Sequence, residues 1–406
     1  MAIDVLAAGK PVPGIRLAAA AVGIKKNAGL DLVVIEASAG STVAAVFTQN
    51  KFCAAPVLLA RQHLTAADNA NAVYCLINSG NANAGTGREG LHNASLSCAA
   101  LAKLASVNEA NVLPFSTGVI GEQLAVEKIQ RIVPDMFAEL KENAWEAAAQ
   151  AVMTTDTRAK IASRQFTIAS NTFVVTGIAK GAGMIRPNMA TMLSFIATDL
   201  AVEQSVLQSV LAGATKRTFN RITVDGDTST NDACVLFATG ANVSQQLQKS
   251  DTQLEIFSGA VEQVCLDLAQ QIVRDAEGAT KFVTVQVLGG NSESDCEAIA
   301  YTVAESPLVK TALYASDPNW GRILAAIGRA PVTKLDVDKV RLSIDDVLIA
   351  EQGAVAKSYD EALASEVMRQ TEFTVRIELG AGEASFALWT SDLSHDYVTI
   401  NADYRT

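Results

Sequence analysis

The sequence predicts an α/β protein with a smaller α+β subdomain at its C-terminal end. Three observations carry that expectation. β-rich runs and long helical stripes interleave along the chain, alternating strands mixed with short helices take over from about residue 282, and no internal repeat or low-complexity linker interrupts either part. With 406 residues, 49% of them hydrophobic, the chain can bury one or two substantial cores. Residues 15–49 read as strands, with Leu32–Ile35 and Val43–Phe47 separated by the turn signal Ser38–Ser41. Val73–Ile77 reads as a buried strand and Leu91–Ala105, rich in small residues, as a packed helix. Val126–Leu140 sets Ile129, Ile132 and Phe137 on a helical stripe that Pro134 is expected to kink or divide. Phe166–Ile178 alternates as one strand. Val202–Leu211 and Leu254–Val273 are helical by spacing, and Phe282–Val287 and Phe373–Leu379 follow as strands.

Composition removes several function classes. Lys plus Arg number 32 against 43 Asp plus Glu, a net charge of −11, and no basic run is present to track a phosphate backbone, so no nucleic-acid partner is expected. No apolar stretch reaches the ~18 residues of a membrane span, and Asp4 stands where a secretory signal carries basic charge; the expected location is cytoplasmic, with no membrane partner. Cys53, Cys75, Cys98, Cys234, Cys265 and Cys296 are scattered without a C-x-x-C pair and read as free thiols in apolar segments. His63, His92 and His395 are too few and too dispersed for a metal site, so none is expected.

Chemistry concentrates in Lys180–Leu193, KGAGMIRPNMATML. Two glycines and a proline favour irregular backbone, and the small Ala190 precedes the hydroxyl of Thr191 at the mouth of an apolar, strand-like run. Such a loop can hold a hydroxyl against the carbonyl that precedes it, and it can equally be an ordinary turn before a core strand; residue types alone favour the turn.

This string resembles the cleavage and nucleophile motif of the ornithine acetyltransferase family, the glutamate N-acetyltransferases of arginine biosynthesis. Agreement extends along essentially the whole chain, at Asn78–Ala84, Ser116–Gly121, Thr154–Thr157, Asp225–Asp232, Ser316–Arg322 and the tail Ile400–Thr406. The resemblance implies a four-layer αββα sandwich of the N-terminal-nucleophile type over residues 1–281, and a smaller α+β subdomain over 282–406 whose tail returns to the active site. It implies a precursor that cuts itself between Ala190 and Thr191, giving an α chain of residues 1–190 and a β chain of residues 191–406 that stay together.

The implied chemistry follows from that cut. The Thr191 hydroxyl attacks the Ala190 carbonyl in an N-to-O acyl shift, water hydrolyses the ester, and a free α-amine appears beside the hydroxyl. A threonine hydroxyl is a weak nucleophile, whereas an α-amine with a pKa of ~7.7–8.0 is partly available as its base. The acetyl group of N2-acetylornithine then passes to Thr191 and on to glutamate. By resemblance, the Thr117 hydroxyl and Gly118 N–H form the oxyanion hole, and Thr154, Lys180, Thr191, Glu277, Asn401 and Thr406 bind substrate. No bound cofactor is implied; acetyl-CoA is an alternative donor in some members, and the family suggests two αβ units, an α2β2 heterotetramer. The α fragment carries net +3 and the β fragment −14, an attraction expected to be secondary to apolar burial because salt screens surface charge within ~10 Å.

Rival readings fare less well. Gly85–Gly90 fits the G-x-G-x-x-G of a dinucleotide site, but seven residues separate it from the strand ending at Ile77. Asp225–Ser229 opens like a calcium loop, but Thr230 and Leu236 stand where glycine and a bidentate glutamate are needed. A self-cleaving amide hydrolase differs from a transferase only in taking water as acceptor, and an uncleaved binding protein would keep its full-length mass.

Overall fold

The computed structural model describes residues 3–26, 28–168, 170–186, 192–242, 246–248 and 253–403. By its contacts the chain divides into two units, Met1–Asn220 with Thr228–Ile272, and Arg221–Asp227 with Val273–Thr406.

The first unit holds two sheets. One has six strands in the order Ile3–Val5, Lys160–Ile168, Asn171–Lys180, Leu193–Thr198, Ala233–Ala238, Thr42–Phe47, and the other has four in the order Ile15–Ala20, Leu32–Ala37, Val73–Asn81, Val112–Val119. The inner strands read as unbroken apolar runs because both faces are covered, and every residue of Leu32–Ala37 is buried. Val33 and Ile35 enter the layer between the sheets, with Ile77 and Phe115 from their own sheet and Val43, Phe195 and Val235 from the other. Phe115 and Phe195 meet edge-on there with ring centroids 5.1 Å apart. Leu32 and Val34 face the opposite way, onto Cys98 and Leu101 of the helix Gly87–Ala105 and Ile129 and Val133 of the helix Val126–Ala138.

The helix Gln204–Arg217 packs on the other side of the six-stranded sheet. So does Leu254–Arg274: a Cβ at Gly177 would lie 3.1 Å from Val264 and 3.2 Å from Leu268. Helix, sheet, sheet and helix make the four αββα layers that the resemblance implies. Five of the cysteines are buried and Cys53 is partly so, all of them free.

Two local expectations are corrected. Phe166–Ile178 is not one strand: Lys160–Ile168 and Asn171–Lys180 form a hairpin with Ile168 opposite Asn171, and Ser170 takes φ 71° at the reversal. Alternation continues across so short a reversal, so the pattern gives no break. Pro134 lies inside the single helix Val126–Ala138 and does not divide it. Pro114–Gly118 belongs to the strand Val112–Val119, and the proline is tolerated because that strand is an edge of its sheet, where the missing N–H deprives no neighbour.

The second unit is a seven-stranded mixed sheet in the order Ile222–Thr223, Ala384–Ser391, Phe282–Gly290, Glu372–Glu378, Arg341–Ile344, Val347–Glu351, Ala354–Val355. Val283, Val285, Val287, Phe373, Val375 and Ile377 meet Ile299, Val303, Ile327 and Met368 of its helices on one face. Thr284, Gln286, Thr374 and Arg376 alternate onto the other, half-buried face. The division at 272/273 lies nine residues before the expected 281/282, and Arg221–Asp227 joins this unit because Ile222 and Thr223 pair in parallel with Trp389 and Thr390. Among the described residues no helix is long and apolar enough to cross a membrane.

Candidate active site

In the first unit, strand ends from both sheets gather the residues of interest. Lys180 ends its strand paired with Leu193, and Leu193 pairs in parallel with Ala233, whose N–H donates to the Met192 carbonyl at 3.0 Å. From the other sheet, Val112–Val119 brings Thr117 and Gly118. The Lys180 Nζ donates to Thr117 Oγ1 at 3.1 Å, joining side chains 63 residues apart.

Gly118 is required by packing. Its φ is 132°, and a Cβ there would lie 2.3 Å from the Gly80 carbonyl carbon, backbone that cannot move aside. The strands Val73–Asn81 and Val112–Val119 pair Ser79 with Thr117 and Gly80 with Gly118, then slip so that Asn81 faces both Thr117 and Val119. Asparagine side chains brace that irregular backbone. Asn78 Nδ2 donates to the Asn81 carbonyl at 2.8 Å, and Asn231 Nδ2 donates to the carbonyls of Ala82 at 2.6 Å and Ser116 at 2.9 Å. Asn78 and Asn231 thus hold the turn beside Thr117.

Asp156 ties Thr154 to the Lys180 segment. Its Oδ1 accepts Lys160 Nζ at 2.6 Å and the Gly181 N–H at 2.7 Å, and its Oδ2 accepts the Thr154 N–H at 2.9 Å. Lys160 is only 1% exposed. Burial by itself would raise the Asp156 pKa; the charges of Lys160 and Lys180 and the hydrogen bonds from Gly181 and Lys160 outweigh it and hold the carboxyl at about 2.

Asp232 has the opposite surroundings. It is 3% exposed, and its Oδ2 has no hydrogen-bond partner. Burial pushes its pKa well above the usual carboxylate range, against the opposing pull of Ser229 and Lys180.

In the second unit, Glu277 is buried just beyond the long helix, and Asn401 Nδ2 donates to its Oε2 at 2.7 Å across 124 residues. Asn401 lies on the helix His395–Ala402, which Ser394 fixes by donating to the Gly278 carbonyl at 2.6 Å. Tyr397 of that helix donates to Asp225 Oδ2 at 3.2 Å; burial, then Asp225, Glu277 and Asp227 raise its phenol pKa.

Of the residues singled out from the sequence, Thr117, Gly118, Thr154 and Lys180 are thus linked within the first unit, and Glu277 and Asn401 within the second. Ala190, Thr191 and Thr406 lie outside the described residues. Sequence reasoning passed over Asp156, Lys160 and Asp232 as individuals. Asp156 and Asp232 stand inside strings that the resemblance had marked, whereas an Asp-x-x-x-Lys spacing gives Lys160 no signal of its own.

The ArgJ family model matches residues 16–406. The chain is 55% identical over 398 residues to the arginine biosynthesis bifunctional protein ArgJ of Pseudomonas fluorescens (strain Pf0-1), an alignment covering 98% of this chain and 97% of the relative. It is 54% identical over 397 residues to the protein of the same name from Pseudomonas syringae pv. tomato (strain ATCC BAA-871 / DC3000), covering 98% and 97%. Among solved structures, the bifunctional protein ArgJ of Bacillus halodurans is similar with a TM-score of 0.50 and 38% identity, over 53% of this chain and 100% of that one.

Proposed function

Because the chain belongs to the ArgJ family, we propose that it is a self-cleaving acetyltransferase of arginine biosynthesis that carries the acetyl group of N2-acetylornithine to glutamate through an acetyl-Thr191 intermediate. The observation that carries this reading is the Lys180–Thr117 hydrogen bond, because it joins the segment leading to Thr191 with the turn expected to hold the oxyanion. In that contact Thr117 Oγ1 accepts from the ammonium, so its own proton is free to point at a developing oxyanion, and the Gly118 N–H is the second donor. Removing one such donor costs about 3–4 kcal/mol of barrier. The ammonium has further protons for the α-carboxylate of acetylornithine or acetylglutamate.

Thr154, held by Asp156, adds a hydroxyl, and Glu277, held by Asn401, is the acceptor for the ornithine ammonium. Thr406 completes the binding set. Cleavage leaves the fragments joined: Leu193–Thr198 and Ala233–Ala238, from after the cut, sit in the sheet between Asn171–Lys180 and Thr42–Phe47, from before it. No bound cofactor or metal belongs to this reading. Acetyl-CoA serves as a second acetyl donor, two αβ units form an α2β2 heterotetramer, and the enzyme works in the cytoplasm.

Intact-mass and N-terminal analysis of wild type and Thr191→Ala tests the core of this proposal. Wild type gives fragments 1–190 and 191–406, and the variant stays whole and inactive. Cleavage at another bond, or an active uncleaved variant, overturns it. Acetate released from acetylornithine without any need for glutamate would point to a hydrolase, and failure of acetyl-CoA to acetylate glutamate would remove the second donor.

A further inference from the structure

Between the strands Ile15–Ala20 and Leu32–Ala37 the chain passes against the backbone of Gly80. Asp31, only 1% exposed, shapes that passage. Its Oδ1 accepts the Val22 N–H at 2.6 Å, and its Oδ2 accepts the N–H groups of Ile24 at 2.6 Å and Lys25 at 3.0 Å. Its own carbonyl accepts the Ser79 N–H at 2.9 Å. The Lys25 backbone so fixed fills the place of a side chain at Gly80: a Cβ there, on a residue with φ 96°, would lie 2.9 Å from both the N and the Cα of Lys25. Gly118 packs on Gly80 in turn, and its strand, at the edge of the sheet, has no other neighbouring strand among the described residues. The Lys25 side chain reaches further, its Nζ donating to the carbonyls of Leu30 at 2.8 Å and Ala151 at 3.3 Å. Ala151 lies in the last turn of the helix Trp145–Val152, where carbonyls lack helical partners, and Ser79 Oγ donates to the same oxygen. That helix leads directly into Met153 and Thr154.

Resting on the acetyl-transfer reading above, we propose that Lys25 and Asp31 are positioning residues of the oxyanion hole: they set the loop 22–25 against Gly80, and Gly80 sets the place of Thr117 and Gly118. Both act through Gly80. Backbone lies on backbone at each step, from Lys25 to Gly80 to Gly118, with no side chain between that could yield, so a shift of the loop is passed on rather than absorbed. A donor aimed at a developing charge works only while it is held in place, and the charge develops twice in this reaction, once as the acetyl group leaves acetylornithine and once as it passes to glutamate. Loosening the loop therefore slows both half-reactions together. Binding of acetylornithine through Lys180 and Glu277 does not depend on it.

The test is rapid-quench kinetics of wild type, Lys25→Met, Lys25→Arg and Asp31→Asn, following acetyl-enzyme formation from acetylornithine and its discharge to glutamate, per mole of fragment 191–406. Lys25→Met, which keeps the stem and loses the bonds to Leu30 and Ala151, slows both steps about tenfold and by a common factor, with KM for acetylornithine unchanged. Lys25→Arg, which can still donate to those carbonyls, restores both rates to within about threefold of wild type. Asp31→Asn slows both steps at least as much as Lys25→Met. Slowing of Lys25→Met by less than about threefold, or of one half-reaction alone, overturns the proposal. So does less acetyl-enzyme formed at wild-type rate constants, which a mere loss of folded protein would give, and so does a Lys25→Met chain that yields no fragment 191–406. Should Asp31→Asn fail to fold, the two Lys25 variants decide, because that side chain is only half-buried. A wild type that forms no acetyl-enzyme refutes the transfer reading itself, a different result from an active wild type matched by its variants.

Discussion

The surroundings of Asp156 and Asp232 make an instructive pair. Both carboxyls are buried in the first unit and both feel the charge of Lys180, yet one is held ionised at about 2 and the other is pushed well above the carboxylate range. Burial penalises charge at both. The difference is the company: Lys160 and the N–H groups of Gly181 and Thr154 at Asp156, against an unpartnered Oδ2 at Asp232. A buried carboxylate with several donors clamps the segments that supply them, whereas burial outweighs the hydrogen bonds from Ser229 and the charge of Lys180 at Asp232 and favours its neutral form.

The strongest way to break the comparison is Lys160→Met, which removes the ion-pair partner of the buried Asp156 and leaves it only the more distant charge of Lys180 and the N–H groups of Gly181 and Thr154. Unfolding free energy in denaturant is expected to fall by about 3–5 kcal/mol, and a loss under about 1 kcal/mol would show that water reaches the pair. Asp156→Asn is next. Its folded pKa lies below the unfolded value, so the carboxylate stabilises the fold above pH ~4, and that contribution is lost as pH falls through about 2. The pH-dependent part of the wild-type-to-variant gap is about 2 kcal/mol at pH 7, shrinks below pH ~4 and closes only below pH ~2.

Asp232→Asn sharpens the contrast by sloping the other way. A raised folded pKa means that the folded state keeps a proton the unfolded chain has released, so stability falls as pH rises above ~4. Measured on the uncleavable Thr191→Ala background, the added Asn substitution gains on its parent between pH 4.5 and 7; parallel curves would remove the raised pKa. The smallest effect belongs to Thr154→Val, which keeps the N–H bonded to Asp156 and removes only a hydroxyl. KM for acetylornithine is expected to rise about fivefold, or about 1 kcal/mol, with kcat and melting temperature unchanged.

Legibility followed the range of the interactions. The strand at Val73 and the helix Leu254–Arg274 were readable because apolar spacing is local. The reversal between Ile168 and Asn171 was not, since it interrupts neither composition nor alternation. The strand around Pro114 carries no such local signal, because its edge position, which excuses the proline, is a property of the assembled sheet. Thr117, Lys180, Glu277 and Asn401 were named through a family resemblance; taken singly, a lysine beside glycines or a glutamate after a helix reads as a solvated charge.

What the amino-acid order determined by itself was the alternation of apolar runs, hence α/β layers, and the hydroxyl, lysine and glycine types from which acyl-transfer chemistry can be built. Only the tertiary structure decided that Lys180 touches Thr117, that Gly118 must lack a side chain against Gly80, and that Asp156 has an ion-pair partner while the Oδ2 of Asp232 has no hydrogen-bond partner. The reason is physical: the pattern of burial is written within a few residues, but the field and the hydrogen-bond partners of a buried group come from strands far apart in the chain.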